Sequence, residues 1–330
     1  MKPINVFSLF DGMSCGQLAL QKAGVPVGTY HASEIDKWAM KVTQKNFPCT
    51  LHMGDITKLE DWRLKLIRDH IGIDLVMGGS PCQGFSFAGK GLNFDDPRSK
   101  LFFEFVRVLK ILKPKYFLLE NVRMKKESQD IISEYMGVEP VAINSNLVSA
   151  QNRHRLYWTN IPFSIPDDKG LILADVLEDG ITDREKSHCL DANYFKGGNL
   201  KSYFEKHRRQ LVFNDRCIQI GEAADLKGYD IIKRVYSPDG KAPTLTTMGG
   251  GHREPKVAVD DLTWRKLTPL ECERLQTVPD NYTEVVSNTQ RYKMLGNGMT
   301  VDVIAHILKG IRHKEQGQSN WSYNADGVAL

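Results

Sequence analysis

The sequence predicts an α/β protein with a doubly wound, mostly parallel sheet and a second, smaller, loop-rich domain that contains short strands. In the first half, short apolar runs alternate with amphipathic stretches, the pattern of strands connected by helices. From about residue 165, turns rich in Gly, Pro and Asp multiply and long periodic stretches become scarce. The predicted strands are Ile4–Phe10, Gly28–Glu34, Asp74–Gly79, Tyr116–Glu120 and Val141–Leu147. The predicted helices are Gly16–Ala23, Asp36–Asn46, Lys100–Leu112, Thr268–Gln276 and Thr300–Gly310.

The composition is typical of a soluble globular protein. Of the 330 residues, 41% are hydrophobic and 25% are charged, and no apolar run reaches the ~18 residues that a membrane span requires. The N-terminus lacks the charged start, apolar run and cleavage site of a signal peptide, so we expect a cytoplasmic protein with no membrane partner. The net charge of +4 is compatible with a polyanionic partner but does not identify one.

The six cysteines do not form a recognisable framework for a metal or for disulfides. No two are spaced as Cys-x-x-Cys and none lies beside a His at zinc-finger spacing, so no structural zinc is expected. Disulfides are not expected in a cytoplasmic chain of this size. The cysteines are Cys15, Cys49, Cys82, Cys189, Cys217 and Cys272.

One of these cysteines has a distinctive context. Cys82 lies in Gly-Gly-Ser-Pro-Cys-Gln-Gly-Phe-Ser, directly after a predicted strand and therefore at the sheet edge where ligands bind. The small residues around it allow a ligand to approach the backbone closely. The next segment, Phe87–Pro97, is long enough to act as a lid. The alternative is a buried cysteine in a tight turn.

Two further segments place charged side chains at the same edge. Glu120 ends an apolar strand and could act as a general acid if burial raises its pKa; a helix cap or a loop salt bridge is the alternative. In Gln-Asn-Arg-His-Arg at 151–155, Arg153 and Arg155 point to one face if the chain there is extended. Their guanidinium groups could bind a base carbonyl, a phosphate or the Glu120 carboxylate, or they could form a solvated cationic edge.

The first predicted strand runs into a glycine turn, the usual cofactor position in such sheets. The turn lacks Gly-x-Gly-x-x-Gly, which argues against a dinucleotide. Glu34 ends the second strand, where an acid commonly binds ribose hydroxyls. Asp55 follows the third candidate strand and could accept a hydrogen bond from an adenine amino group. A ribose and an adenine without a phosphate-binding motif indicate an adenosine cofactor that lacks a pyrophosphate, and S-adenosylmethionine fits that description.

Taken in order, these segments resemble the C5-cytosine DNA methyltransferase family of bacteria and phages over nearly the whole chain. The matching segments are the first loop, the Pro-Cys segment Gly79–Ser86, the Glu-Asn-Val segment Glu120–Val122, the Gln-x-Arg-x-Arg segment Gln151–Arg155, the segment Leu262–Thr283 and the closing segment Leu295–Val301. The first loop departs from the usual Asp-Leu-Phe-Ala-Gly and reads Ser-Leu-Phe-Asp-Gly at 8–12, which is similar to the de novo DNA methyltransferases of animals. Gly298 stands in place of the usual Ser in the closing segment.

The resemblance implies a Rossmann-like DNA (cytosine-5-)-methyltransferase that uses S-adenosylmethionine and needs no metal. It implies that the Cys82 thiolate adds to C6 of a flipped-out cytosine and that Glu120 acts at N3 and reads the exocyclic amine. It also implies that Arg155 holds O2 and that Arg153 supports Glu120 and the backbone around it. The implied cofactor contacts are Phe10, Asp11, Gly12, Met13, Gly16, Glu34, Ile35, Asp55, Ile56, Pro81, Leu101, Asn297 and Met299.

The same resemblance implies a discontinuous catalytic domain, residues 1–167 with 287–330, and a target-recognition domain at 168–286. The segment 242–247, followed by three glycines, resembles the Thr-Leu-Thr part of family recognition domains; a hairpin turn is the alternative. The expected DNA contacts are Gln83, Ser86, Arg98, Thr244, Thr246, Gly249, Gly250 and Arg253. Double-stranded DNA is the expected partner of a monomeric enzyme in a bacterial or phage-infected cell, and a cognate restriction endonuclease in the same host is a further candidate.

Three other functions remain as alternatives. One relative of this family methylates a transfer RNA, and the long segment from about 168 to 260 argues only weakly for DNA instead. A catalytically inactive binder is disfavoured by the intact Cys82, Glu120, Arg153 and Arg155. A NAD-dependent dehydrogenase is disfavoured by the missing Gly-x-Gly-x-x-Gly.

Overall fold

The computed structural model describes residues 1–80, 100–213, 219–222, 234–236, 256–257 and 264–314. Seven strands form the central sheet: β1 (Ile4–Leu9), β2 (Val27–Ser33), β3 (Leu51–His52), β4 (Leu75–Gly79), β5 (Tyr116–Val122), β6 (Val141–Asn144) and β7 (His154–Thr159). Their order is β3-β2-β1-β4-β5-β7-β6, and only β7 runs antiparallel to its neighbours. The α/β class with a mostly parallel sheet is therefore confirmed.

Helices cover both faces of this sheet. The helices are α1 (Cys15–Ala23), α2 (Lys37–Asn46), α3 (Asp61–His70), α4 (Lys100–Leu112), α5 (Lys126–Met136), α6 (Leu200–Lys206), α7 (Pro269–Leu275), α8 (Asn288–Asn297) and α9 (Val301–Lys314). Consecutive residues of a strand point to opposite faces, so Leu118 joins a core cluster with α1 and α9, whereas Leu119 joins a second cluster with α4 and α5. No described helix is long and apolar enough to cross a membrane.

The strand register brings the carboxyl ends of the central strands together. Leu9 of β1 pairs with Gly78 of β4, and Gly79 pairs with Glu120 of β5. Strand order reverses between β1 and β4, which is the switch point at which doubly wound sheets bind ligands. Because β7 is antiparallel, its first residues meet this same edge, and Arg155 pairs with Val122.

The largest difference between a predicted strand and the observed one lies at the C-terminal end of β6. The strand predicted over Val141–Leu147 stops at Asn144, and the next three residues form a 3-10 turn. The Asn144 side chain causes this stop by accepting a hydrogen bond from the Asn146 amide at 3.3 Å, a local bond that competes with the strand ladder.

The segment predicted as a recognition domain contributes smaller sheets in its described part. A two-stranded sheet joins β8 (Leu211–Phe213) to β12 (Trp264–Lys266), and a three-stranded sheet contains β9 (Gln219–Glu222), β10 (Arg234–Tyr236) and β11 (Lys256–Val257). Several of its apolar side chains, including Leu173, Tyr194 and Leu275, belong to the same core cluster as β1 and α1. The ends of this segment are thus packed onto the core of the central sheet, and the domain boundaries at 167/168 and 286/287 stay a prediction.

Candidate active site

A cavity of about 470 Å³ opens at the carboxyl edge of the central sheet. Its wall combines the loop after β1, the ends of β2, β4 and β5, the start of β7, and the C-terminal part of α8 with the residues that follow. The cofactor residues predicted from the sequence that line it are Phe10, Asp11, Gly12, Met13, Glu34, Ile35, Asp55, Ile56, Leu101, Asn297 and Met299. Glu120, Arg153 and Arg155 line it as well, so a single cavity brings the two predicted sets of residues together.

The loop after β1 leaves open space beside its backbone. Gly12 has a φ of +58°, and a Cβ on it would meet no other atom within 4 Å. Its amide donates a hydrogen bond of 2.7 Å to Glu34 Oε2. A larger side chain at Gly12 would be strained and would extend into this space, so the glycine keeps the loop open to a ligand.

Two carboxylates are held at the ends of neighbouring strands. Glu34 accepts hydrogen bonds from three backbone amides, those of Gly12, Ile35 and Asp36, at 2.7–2.8 Å. Asp55 accepts from both the amide and the hydroxyl of Thr57, which lowers the pKa of its carboxyl. Both side chains are thereby fixed as charged acceptors on one side of the cavity.

Asp11, one of the two departures from the family pattern in the first loop, is almost fully buried. Its Oδ1 accepts a hydrogen bond of 2.7 Å from the Tyr30 hydroxyl, while its Oδ2 has no hydrogen-bond partner. Burial raises the pKa of the Asp11 carboxyl, because removal from water disfavours the charged form. The pKa of the Asp11 carboxyl is therefore shifted in the direction opposite to that of Asp55.

At the other end of the cavity, Glu120 pairs with Arg155. The Arg155 Nε lies 2.9 Å from Glu120 Oε1, and both side chains are mostly buried. A Cβ on Gly79 would come within 2.9 Å of Glu120 Oε2, so glycine at the end of β4 leaves room for this carboxylate. Asn121 ties the same strand end to Ser80, donating to its hydroxyl at 3.1 Å.

Arg153 has a different set of partners. It is 2% exposed and donates to the backbone carbonyls of Leu190, Gly296 and Gly298 at 2.8–3.1 Å and to Cys189 Sγ at 3.3 Å. No ion pair joins it to an acidic side chain in the described part of the chain, so the predicted support of Glu120 by Arg153 is not seen as a direct contact. Arg153 instead joins β7 to two segments that follow far along the chain.

Several predicted site residues lie outside the described residues. These are Pro81, Cys82, Gln83, Ser86 and Arg98, the candidate lid Phe87–Pro97, and Thr244, Thr246, Gly249, Gly250 and Arg253. The last described residue before Cys82 is Ser80, which lines the cavity beside Glu120. The sequence therefore continues from the cavity wall to Cys82 within two residues.

One predicted cofactor residue is placed away from the cavity wall. A Cβ on Gly16 would lie 2.6 Å from Met77 Sδ and 2.7 Å from the Tyr30 hydroxyl. Glycine at this position is thus explained by the close packing of α1 on the sheet.

Among the lining residues that were not predicted from the sequence, Asp36 and Lys293 form an ion pair. Asp36 caps α2, and its Oδ2 lies 2.8 Å from Lys293 Nζ of α8. Both residues line the cavity, so this ion pair joins two of its walls. A capping Asp before a helix was visible in the sequence, whereas its partner, 257 residues further on, was not.

The chain matches known proteins over nearly its whole length. A model of the C-5 cytosine-specific DNA methylase family matches residues 4–313. The chain is 30% identical to the type II methyltransferase M.HpaII of Haemophilus parainfluenzae, over 93% of this chain and 88% of that protein. It is 29% identical to the orphan methyltransferase M.SPBetaI of Bacillus phage SPbeta, over 95% and 98% of the two chains.

A solved structure agrees with the fold. The crystal structure of a Spodoptera frugiperda DNMT2 mutant matches with a TM-score of 0.62 at 19% identity, covering 94% of this chain and 99% of that one. An identity this low supports only the similarity of fold. The family match, which spans the cavity and every strand around it, shows that this chain belongs to the C-5 cytosine-specific DNA methylases, the family of S-adenosylmethionine-dependent DNA (cytosine-5-)-methyltransferases.

Proposed function

We propose that this chain methylates C5 of a flipped-out cytosine in a short, specific sequence of duplex DNA through a covalent adduct at Cys82. The observation that carries the proposal is the single cavity in which the cofactor residues after β1 and β2 and the pair formed by Glu120 and Arg155 face the same space. Family membership supports the overall reaction.

The first half of the cavity fits S-adenosylmethionine. Open space beside Gly12 leaves room for the ligand at the loop after β1, and the fixed carboxylates of Glu34 and Asp55 are suitable acceptors for ribose hydroxyls and an adenine amino group. Bound there, S-adenosylmethionine would supply an electrophilic methyl group on a sulfonium. That no metal takes part remains a prediction.

Cys82 is the proposed nucleophile. C5 of cytosine is a poor nucleophile, and addition of a thiolate to C6 makes C5 enamine-like. After methylation, loss of the C5 proton and expulsion of the Cys82 thiolate restore the aromatic ring. The position of Cys82 two residues after Ser80, which lines the cavity, supports this role.

Glu120 and Arg155 are proposed to bind the base. Glu120 would protonate or hydrogen-bond N3 and accept from the exocyclic amine, while Arg155 would donate to O2. Their 2.9 Å contact holds the carboxylate and the guanidinium in fixed positions before any base arrives, which reduces the reorganisation needed for binding. Arg153, through its backbone contacts, is proposed as a positioning residue that holds β7 against the Gly296–Gly298 segment.

The target must leave the duplex to reach this cavity. Inside a duplex, stacked neighbours cover the face of the ring at which a thiolate would add to C6, and base pairing occupies N3, so base flipping at a cost of a few kcal/mol is expected. Residues 168–286 are proposed to choose the DNA site, with Thr244, Thr246, Gly249, Gly250 and Arg253 nearest to the DNA, together with Gln83, Ser86 and Arg98 from the catalytic part.

The decisive experiment uses a duplex of randomised sequence in which 5-fluorocytosine replaces cytosine. Fluorine at C5 cannot leave as a proton, so the wild-type protein with S-adenosylmethionine should form a stable covalent adduct, mapped by mass spectrometry to Cys82. Cys82→Ser should lose the adduct and nearly all methyl transfer while binding S-adenosylhomocysteine with wild-type affinity in calorimetry.

A matched control replaces the exposed Cys49 with Ser, which should keep the adduct. An adduct at another cysteine, or substantial activity in Cys82→Ser, would refute the assignment. Parallel assays with transfer RNA decide between the two nucleic acids, since methylation of transfer RNA alone would exclude DNA as the substrate.

A further inference from the structure

A group of polar side chains extends the active-site edge beyond the cavity. We call Arg123, Lys125, Asn144, Asn152 and His154 the rim ledge. Arg123 and Lys125 follow the end of β5, and the other three lie at the end of β6 and the start of β7. Four of the five are exposed, and Asn144 is half-buried. None of them was predicted as a DNA contact.

The strand register fixes where the ledge lies relative to the cavity. Val122 pairs with Arg155, the arginine proposed to bind the base. Arg123 is the next residue after Val122 and therefore lies close to this pair. Asn144 pairs with His154 on the neighbouring strand. Because side chains alternate along β7, His154 points to the face of the sheet opposite to Arg155. The ledge and the base-binding pair therefore occupy the two sides of one strand end.

The asparagines and the histidine form a hydrogen-bond network in which the Asn152 side chain serves as an acceptor. The side-chain Nδ2 of Asn144 lies 3.3 Å from Asn152 Oδ1 and 3.2 Å from His154 Nε2, and the side-chain Nδ2 of Asn146 also donates to Asn152 Oδ1 at 3.3 Å. The Asn152 carbonyl oxygen thus accepts twice, which directs its exposed NH₂ group outward. An oriented amide donor at the surface is a common ligand of phosphate oxygens.

The two cations of the ledge are unpaired within the described residues. Arg123 and Lys125 form no ion pair there, in contrast to Lys126, whose ammonium lies 2.7 Å from Asp130. Unpaired cations beside oriented amides fit a polyanion, since cations neutralise the charge and amides fix the register. Duplex DNA is the favoured polyanion because the family acts on DNA and the ledge adjoins the cavity in which the flipped cytosine is proposed to bind.

We propose that the rim ledge binds backbone phosphates of duplex DNA next to the flipped cytosine, on the side of β7 opposite to Arg155. This proposal rests on the proposed function and adds a contact surface that reads no bases. It predicts that the ledge contributes affinity for every DNA sequence alike, while residues 168–286 contribute sequence choice.

The test compares two double variants at opposite ends of the same strand. Arg123→Gln with Lys125→Gln removes the ledge cations, and Lys113→Gln with Lys115→Gln removes two exposed cations before β5. Lys115 and Arg123 lie roughly 25 Å apart along the strand, so both variants lose the same net charge at different places. Binding to a duplex of random sequence is measured by fluorescence anisotropy at several salt concentrations.

The ledge variant should reduce the slope of log K against log salt by about 1.8, since each lost phosphate contact removes about 0.9. The control variant should keep the wild-type slope. Asn152→Asp, which places a negative charge in the network, should weaken binding at every salt concentration. Calorimetry with S-adenosylhomocysteine confirms that each variant is folded.

Equal slopes for the two double variants, or a slope unchanged in the ledge variant, would overturn the proposal. Loss of transfer RNA binding with duplex binding intact would also overturn it. The proposed function is judged separately by the 5-fluorocytosine adduct of the wild-type protein, which does not depend on the ledge.

Discussion

The two halves of the cavity wall are built in different ways. The half of the wall proposed to bind the cofactor, here called the cofactor half, contains short segments after β1, β2 and β3, where contacts such as that of Gly12 with Glu34 join residues 22 positions apart. The junction around Arg153 joins residues up to 145 positions apart, since it bonds to Leu190, Gly296 and Gly298. A site at strand ends follows from the sheet alone, whereas the junction exists only when distant segments have packed.

This difference predicts that the cofactor half determines ligand affinity, whereas the Arg153 junction determines the stability of the fold. A substitution in the cofactor half should change ligand affinity and leave the fold in place. A substitution at the junction should change stability first and every activity with it. Substitutions at Arg153, Glu34 and Asp36 test that separation.

Arg153→Met should lower the free energy of unfolding by on the order of 3 kcal/mol, because two buried carbonyls and one partly buried carbonyl lose their donor. Arg155→Met removes a guanidinium two residues away that pairs with one carboxylate. This control should cost less than half as much stability while abolishing most methyl transfer. Urea unfolding monitored by fluorescence measures both. Equal losses of stability would remove the distinction between the two arginines.

Glu34→Ala should weaken binding of S-adenosylmethionine by on the order of 1.5–3 kcal/mol, since a charged acceptor for the ribose hydroxyls is lost. Glu34→Gln should lose less, because its amide oxygen still accepts from a backbone amide. Calorimetry gives the affinity, and thermal unfolding checks that stability changes little. Unchanged affinity in Glu34→Ala would contradict the ribose role and the proposed separation.

The ion pair of Asp36 with Lys293 should affect release of the cofactor only slightly. Burial raises the pKa of Asp36, but hydrogen bonds from Lys293 and the Trp38 amide lower it overall. A lowered pKa means that the pair is intact at neutral pH and that its contribution is lost as the pH falls through the pKa of the folded state. Asp36→Asn should remove this ion pair, whose contribution is about 0.2–1 kcal/mol. Release of S-adenosylhomocysteine, measured by stopped-flow, should therefore become a few-fold faster.

Lys45 and Glu284 provide the matched control for that pair. Their 2.6 Å contact also connects α2 to the C-terminal part of the chain, but neither residue lines the cavity. Glu284→Gln should therefore leave the release rate unchanged. An equal acceleration in both variants would show that the two ion pairs act through general stability and not at the cavity.

Local sequence was sufficient to place Glu34 and Asp55 at the cavity, because the signals for strand ends are local; their role in cofactor binding stays a prediction. A short apolar run followed by Gly12, Glu34 or Asp55 is sufficient to place each residue at a strand end, and the sheet then gathers them. The helix α4 was predicted with its observed bounds, since its apolar face repeats along thirteen residues. The helix α3 was not predicted, because it buries only Leu64 and so lacks an apolar stripe.

The contacts that sequence reasoning missed depend on distance along the chain. Nothing near Arg153 indicates that its partners are the carbonyls of glycines in the closing segment, since a backbone carbonyl carries no sequence signal. The pair of Asp36 and Lys293 and the rim ledge were missed for the same reason. Each requires the order β5-β7-β6 or the return of α8, which are properties of the whole fold.

The late position of Gly296 and Gly298 also has a consequence for synthesis on the ribosome. Chains emerge from the N-terminus, so the first strands and the residues around Glu34 can fold long before the closing segment exists. The Arg153 guanidinium therefore stays hydrated until about 145 further residues have been synthesised. Until those residues arrive, one wall of the cavity is missing, and a nascent chain held at the ribosome should be unable to modify the DNA near it.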